Sequence, residues 1–175
     1  VLSASPKDTI VDCIDLAPVA PVLTAFDECD NVPVTFTEII SDSSCVNLLT
    51  ITRTWTAADD CGNAVSATQV VTVLDTIPPV MDVAPADTTV SCLDLVPVAA
   101  VLSVTDNCSS LPVTFVETVS DSTCENTLTI VRTWSAEDYC GNTFTETQTI
   151  YVVDTIKPQF SFIPKDTTVT CIEEV

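Results

Sequence analysis

The sequence predicts an all-β chain built as tandem antiparallel β-sandwiches in an elongated array. Three observations predict it. Apolar residues alternate with period two, no segment carries the 3.6-residue period of a helix, and the whole pattern recurs after 79 residues. Residues 1–79 match 80–158 without a gap at 43 of 79 positions. The match continues as Asp87 pairs with Asp166 and Cys92 with Cys171. The expected units are therefore repeat 1 (1–79), repeat 2 (80–158) and the start of a third (159–175). Solenoid units are shorter, about 20–50 residues, so beads of small domains are expected, and the sequence reads as a window on a longer array. With no leader in view, it reads as processed or internal.

Each strand has its own justification. Leu49, Ile51, Arg53, Trp55 and Ala57 share one face of a strand, and Thr50, Thr52, Thr54 and Thr56 the other. Repeat 2 restates that face as Leu128, Ile130, Arg132, Trp134 and Ala136. Further strands are expected at 9–13, 21–27, 32–40 and 64–74. Five strands in about 80 residues, with one inward Trp, suit an immunoglobulin-like sandwich. In Asp75-Thr76-Ile77-Pro78-Pro79 the prolines lack backbone donors and fix φ, so the last strand ends there in a stiff linker that should hold units end to end.

Composition excludes much chemistry. With 25 acidic and five basic residues the net charge is −20, so no basic patch can form for nucleic acid or anionic membrane. The chain has no histidine, which removes His-dependent nucleophiles and the usual His-ligated zinc sites. The two glycines, Gly62 and Gly141, form no phosphate-cradling loop. No apolar stretch approaches the ~18 residues of a membrane span. Nine cysteines without a CxxC pair point to disulfides and an oxidising compartment outside the cytosol.

The phrases DTTVSC, VTDNC, RTWSAEDYCGN and TQTIYVVDT resemble the hyalin-repeat-like, immunoglobulin-fold modules of giant secreted bacterial adhesins, in particular SprB-type gliding adhesins of Bacteroidota. The resemblance covers both repeats and the third start. It implies a filament at the bacterial cell surface, exported through the outer membrane by the type IX route, and it names no ligand. Vertebrate hyalin repeats share the VxDTxPP linker and the DxxGN turn but differ in cysteine pattern, so their functions are not carried over.

Arg53 and Arg132 lie on the Trp-bearing face, and Glu38 and Glu117 share the phase of Phe36 and Phe115. Structural Arg–Glu pairs across neighbouring strands are expected, in preference to recognition of an acidic sugar. Paired carboxylates raise glycosidase chemistry, but a unit of this size with few aromatics offers little cleft, so no catalysis is expected. At the junction, Asp75 from the linker joins Asp106, Asn107, Glu137 and Asp138, with Asn142 nearby. Two readings fit these oxygens: a Ca²⁺ site, or acids that cap turns.

Cys13, Cys29, Cys45 and Cys61 follow one another at 16-residue intervals, each holding one long strand, so successive cysteines alternate poles. Poles some 20–30 Å apart by strand rise cannot share a bridge whose Cα atoms lie within about 7 Å. The pairs expected are Cys13 with Cys45, Cys29 with Cys61, Cys92 with Cys124, and Cys108 with Cys140. Cys171 is left unpaired.

These readings converge on non-catalytic stalk repeats of a long surface adhesin, partnered by neighbouring repeats and projecting a distal adhesive region in attachment or gliding. The alternative is a multivalent glycan- or surface-binding module. A recurring exposed aromatic patch would favour it, and none stands out in the sequence.

Overall fold

The computed structural model describes all residues except 29–30, 42–44, 110, 121–126, 167 and 169–175, so Cys29, Cys124 and Cys171 lie outside the described residues. Repeat 1 runs β1 (Thr9–Val11), β2 (Ala25–Phe26), β3 (Asn31–Val32), β4 (Val34–Ile40), β5 (Leu48–Ala58) and β6 (Ala64–Leu74). Repeat 2 runs β7 (Val80–Met81), β8 (Thr88–Val90), β9 (Val104–Thr105), β10 (Thr114–Val119), β11 (Thr127–Glu137) and β12 (Thr143–Val153). The described helical pieces are single 3-10 turns, Ile14–Leu16 and Leu93–Leu95. The chain is all-β, as the periodicity predicts.

Each repeat centres on a four-stranded sheet, in the order β1-β6-β5-β4 and again β8-β12-β11-β10. The inner pairs are antiparallel hairpins, and the short strands β1 and β8 join parallel to β6 and β12. Those edge strands are pinned by acids: Val70 N donates to Asp8 Oδ1 at 2.8 Å, and Thr149 N to Asp87 Oδ1 at 2.7 Å. At 11 residues, β5 spans about 36 Å of strand rise. Its Ile51, Arg53, Trp55 and Ala57 are buried while the intervening threonines are half-buried. Trp55 and Trp134 are each only 1% exposed, and a side chain of that size contributes about 3 kcal/mol on leaving water. Each indole N–H is satisfied, Trp55 Nε1 by Pro21 O at 3.2 Å and Trp134 Nε1 by Ala100 O at 3.1 Å.

The strand expected at 9–13 stops at Val11, the one expected at 32–40 breaks at Pro33, and the largest shortfall is at 21–27. Of residues 21–27 only Ala25–Phe26 pair into a ladder. Pro18 and Pro21 lack the N–H a ladder needs. The stretch instead crosses the Trp-bearing face and offers its carbonyls to buried donors, so the second layer is partly irregular. In repeat 2 the same stretch supplies Pro97 O to Arg132 Nη2 at 2.8 Å.

The hairpin turns between β5 and β6 and between β11 and β12 mark one pole of each repeat. Gly62 and Gly141 have φ of +88° and +90°, which L side chains avoid. Around them Asp59 Oδ1 accepts from Cys61 N and Asn63 N at 2.9 and 2.7 Å, and Asp138 Oδ1 accepts from Cys140 N and Asn142 N at 2.8 Å each.

Candidate functional site

The two repeats meet head to tail. Cys45 precedes β5 and Cys140 follows β11, so opposite ends of equivalent strands come together. A contact between different surfaces of like units leaves the outer surfaces free for the same contact, and the array stays open wherever the rotation between units does not close a ring.

Two disulfides cross this junction, Cys13–Cys108 and Cys45–Cys140, with Cα separations of 5.3 and 5.1 Å. The pairings within a repeat expected from the sequence are therefore corrected. Cys13 is not bonded to Cys45, nor Cys108 to Cys140; Cys61 and Cys92 are free thiols, and their expected partners Cys29 and Cys124 lie outside the described residues. The alternation of poles holds, because Cys13 and Cys45 stand at the same pole of repeat 1. The partners lie in the next bead because its facing pole is within disulfide reach. Disulfides of this kind mark an oxidising, extracellular setting.

Beside the disulfides stand Asp75, Asp106 and Asp138, each offering a carboxylate oxygen within 4.8 Å of the others. Asp75 comes from repeat 1, at the end of β6, and the other two from repeat 2. Asp75 and Asp138 are buried and Asp106 half-buried. Asp106 Oδ2 accepts from Cys108 N at 3.0 Å and from Ser109 N and Oγ at 2.9 Å each. Its Oδ1 is the one buried side-chain oxygen among the described residues that lacks a partner. The capping reading and the cation reading thus fall on different oxygens of one residue.

Electrostatics give the cluster a cost. Burial raises the Asp75 carboxyl above its usual value, the Asp106 and Asp138 charges push the same way, and hydrogen bonds from Ile77 N and the Asn107 side chain oppose them. Two carboxylates at this range repel by roughly 3 kcal/mol at an effective dielectric of about 20. A hard divalent cation reverses that sign, and an all-oxygen set suits Ca²⁺.

The remaining expected ligands separate. Asn107 is exposed and contacts the cluster by donating to Asp75. Glu137 is exposed and outside the cluster, because period two turns it away when Ala136 and Asp138 face in. Asn142 braces the site, its Nδ2 donating to Asp138 Oδ2 at 2.7 Å and to Asp75 O at 3.2 Å. Sequence reasoning missed Asn47, which is 3% exposed. Its Oδ1 accepts from Ile14 N at 2.8 Å and its carbonyl from Asp75 N at 2.9 Å, tying together the two segments that carry Cys13 and Cys45. The signal was present: Asn stands two residues after the third cysteine in both repeats, as Asn47 and Asn126.

Among the described residues, the cluster forms only where the two repeats meet. At the outer ends, the equivalents Asp27 and Asp154 are exposed and Asp59 half-buried. Asp59 is held below its usual value by its Asn63 hydrogen bonds, the opposite of Asp75.

Away from the junction, the expected ion pairs are present. Arg53 Nε lies 2.8 Å from Glu38 Oε2, and Arg132 Nε 2.7 Å from Glu117 Oε2. In each pair the two residues stand directly opposite on neighbouring strands. Both guanidiniums are almost fully buried and also donate to Gln69 or Gln148, so they serve the fold. A shallow apolar groove recurs beside them. Pro21, Leu23, Val34, Phe36 and Trp55 line it in repeat 1, and Ala100, Leu102, Val113, Phe115 and Trp134 in repeat 2.

The family model for the HYR-like domain with 4 cysteines matches residues 1–73 and 80–152. No curated protein matches the chain.

Proposed function

The chain belongs to the family of HYR-like domains with four cysteines, and on that premise we propose that it forms non-catalytic stalk repeats of a long bacterial cell-surface adhesin. The observation that carries this reading is the junction, where two disulfides bind consecutive repeats to each other. Such cross-links restrict bending and spend no surface on a ligand. The net charge of −20 keeps neighbouring filaments apart. A stalk of this kind projects a distal adhesive region in surface attachment or gliding motility, and export by the type IX route fits the same reading. Calcium at Asp75, Asp106 and Asp138 would lock the angle between repeats further, supported by the unpartnered Asp106 Oδ1. Small-angle scattering of the full chain tests the reading. A rod that bends more after reduction and chelation is expected, and a compact globule would contradict it.

A second reading rests on the recurring groove, flanked by Val22 and Val101, which are 93% and 97% exposed. Repetition of one weak apolar site suits multivalent capture of a glycan or surface. Glycan-array binding by the full chain that Val22→Asp and Val101→Asp together abolish would favour the module over the stalk.

A further inference from the structure

The two junction disulfides obey one rule. Each joins residues 95 apart, which is the 79-residue period plus the 16-residue cysteine spacing. The first and third cysteines of a repeat therefore bond to the second and fourth of the next. By the same period, Cys92 is the equivalent of Cys13 and Cys61 the equivalent of Cys140. Both are free thiols, Cys61 exposed and Cys92 half-buried.

Their frames match those of their bonded counterparts. The Asp-capped turn that presents Cys61 repeats the one that presents Cys140. Cys92 O accepts from Leu95 N at 3.1 Å, as Cys13 O accepts from Leu16 N at 3.0 Å. Two thiols thus sit at the outer poles in the backbone setting that supports a bridge at the inner one.

We infer that Cys61 and Cys92 are junction cysteines for further repeats of this same kind. Cys61 bonds to the cysteine equivalent to Cys45 in a preceding repeat, and Cys92 to the equivalent of Cys108 in a following one. This deepens the stalk reading and rests on it. Each bond joins two thiol sulfurs, releases two protons and passes two electrons to a disulfide oxidant such as oxidised glutathione, which leaves as two thiols.

The consequence is mechanical. In such an array a covalent path enters a repeat at the Cys61 position and leaves at the Cys45 position, 16 residues away, with β5 between them. A second path joins the Cys29 and Cys13 positions, again 16 residues apart. A pulled repeat can then lengthen to about 56 Å, against about 275 Å when the backbone alone connects units, taking ~3.5 Å per residue. Most of the short path is strand and already extended. The array resists stretching by covalent geometry, and reduction raises the fully extended length per repeat roughly fivefold.

The test extends the full chain by a third complete repeat, a copy of residues 80–158 placed after residue 158. The protein is oxidised in a glutathione buffer, alkylated and digested without reduction. The expected product links Cys92 to the added repeat's second cysteine, while Cys61, with no repeat before it, is alkylated. Cys92→Ser should expose the added repeat's second cysteine to alkylation and leave Cys13–Cys108 intact. Recovery of Cys13–Cys108 with Cys92 alkylated, or paired inside its own repeat, overturns the inference while the stapled pair stands. Loss of Cys13–Cys108 itself overturns both. Force–extension curves of the same protein should show that reduction raises the fully extended length of the middle repeat, the one bridged on both sides, about fivefold, and equal lengths would count against the ladder.

Discussion

Cys45 and Cys140 belong to different repeats, yet their Cα atoms stand 5.1 Å apart and a disulfide joins them. With Cys13–Cys108 it makes the junction a covalent structure. Each bridge closes 95 residues, so its removal frees a long loop in the unfolded chain.

Replacing Cys45 and Cys140 together by Ser should lower stability by about 2–4 kcal/mol, below the loop-entropy figure because the two loops overlap. Equilibrium denaturation measures it. No change would mean the bridge is absent in the folded protein.

Asp75 gives a pH dependence with a defined sign. Because its carboxyl is raised above 3.8, the folded chain holds this proton more tightly than the unfolded chain. Without a cation, the contribution of Asp75 is most favourable where it is protonated and declines as pH rises from about 3.8 through the raised value. Asp75→Asn should remove that slope and be the more stable form in chelator at neutral pH. Millimolar calcium should raise the melting temperature of the parent and leave the variant unmoved. Parallel melting curves for the two proteins, with and without calcium, would contradict this.

Arg53 is the buried member of its pair and Glu38 is about a third exposed. Glu38→Ala leaves a buried guanidinium short of its anion and should cost about 1–3 kcal/mol after allowance for solvent screening. Arg53→Met lets Glu38 rehydrate and should cost less. Thermal unfolding of the two variants orders them, and the reverse order would assign Arg53 a role beyond the pair.

Gly141 stands at φ +90° with open space around the position of an added Cβ. Gly141→Ala should therefore cost only the backbone penalty, about 1–2 kcal/mol. A larger loss would show that the turn must move to hold Cys140 in its bridge.

The sequence showed the strands clearly where both faces carried distinct residues. β6 falls on Ala64–Leu74 as expected, because eleven residues keep their alternation through the ladder. Residues 21–27 alternate too, but their prolines lack donors and the stretch became a cover for the sheet. The poles of the cysteines were legible from their spacing. Their partners were not, since a 16-residue interval fits a bridge within one repeat or across two. Asp75, Asp106 and Asp138 were legible as oxygen-bearing turns. Glu137 was an avoidable error, for its phase opposes that of Ala136.

The most direct measurement of the central claim is a disulfide map of the oxidised full chain, digested without reduction and read by mass spectrometry. Peptides linking Cys13 to Cys108 and Cys45 to Cys140 are expected. Peptides linking Cys13 to Cys45, or Cys108 to Cys140, would place the bridges inside single repeats and contradict a covalently stapled junction.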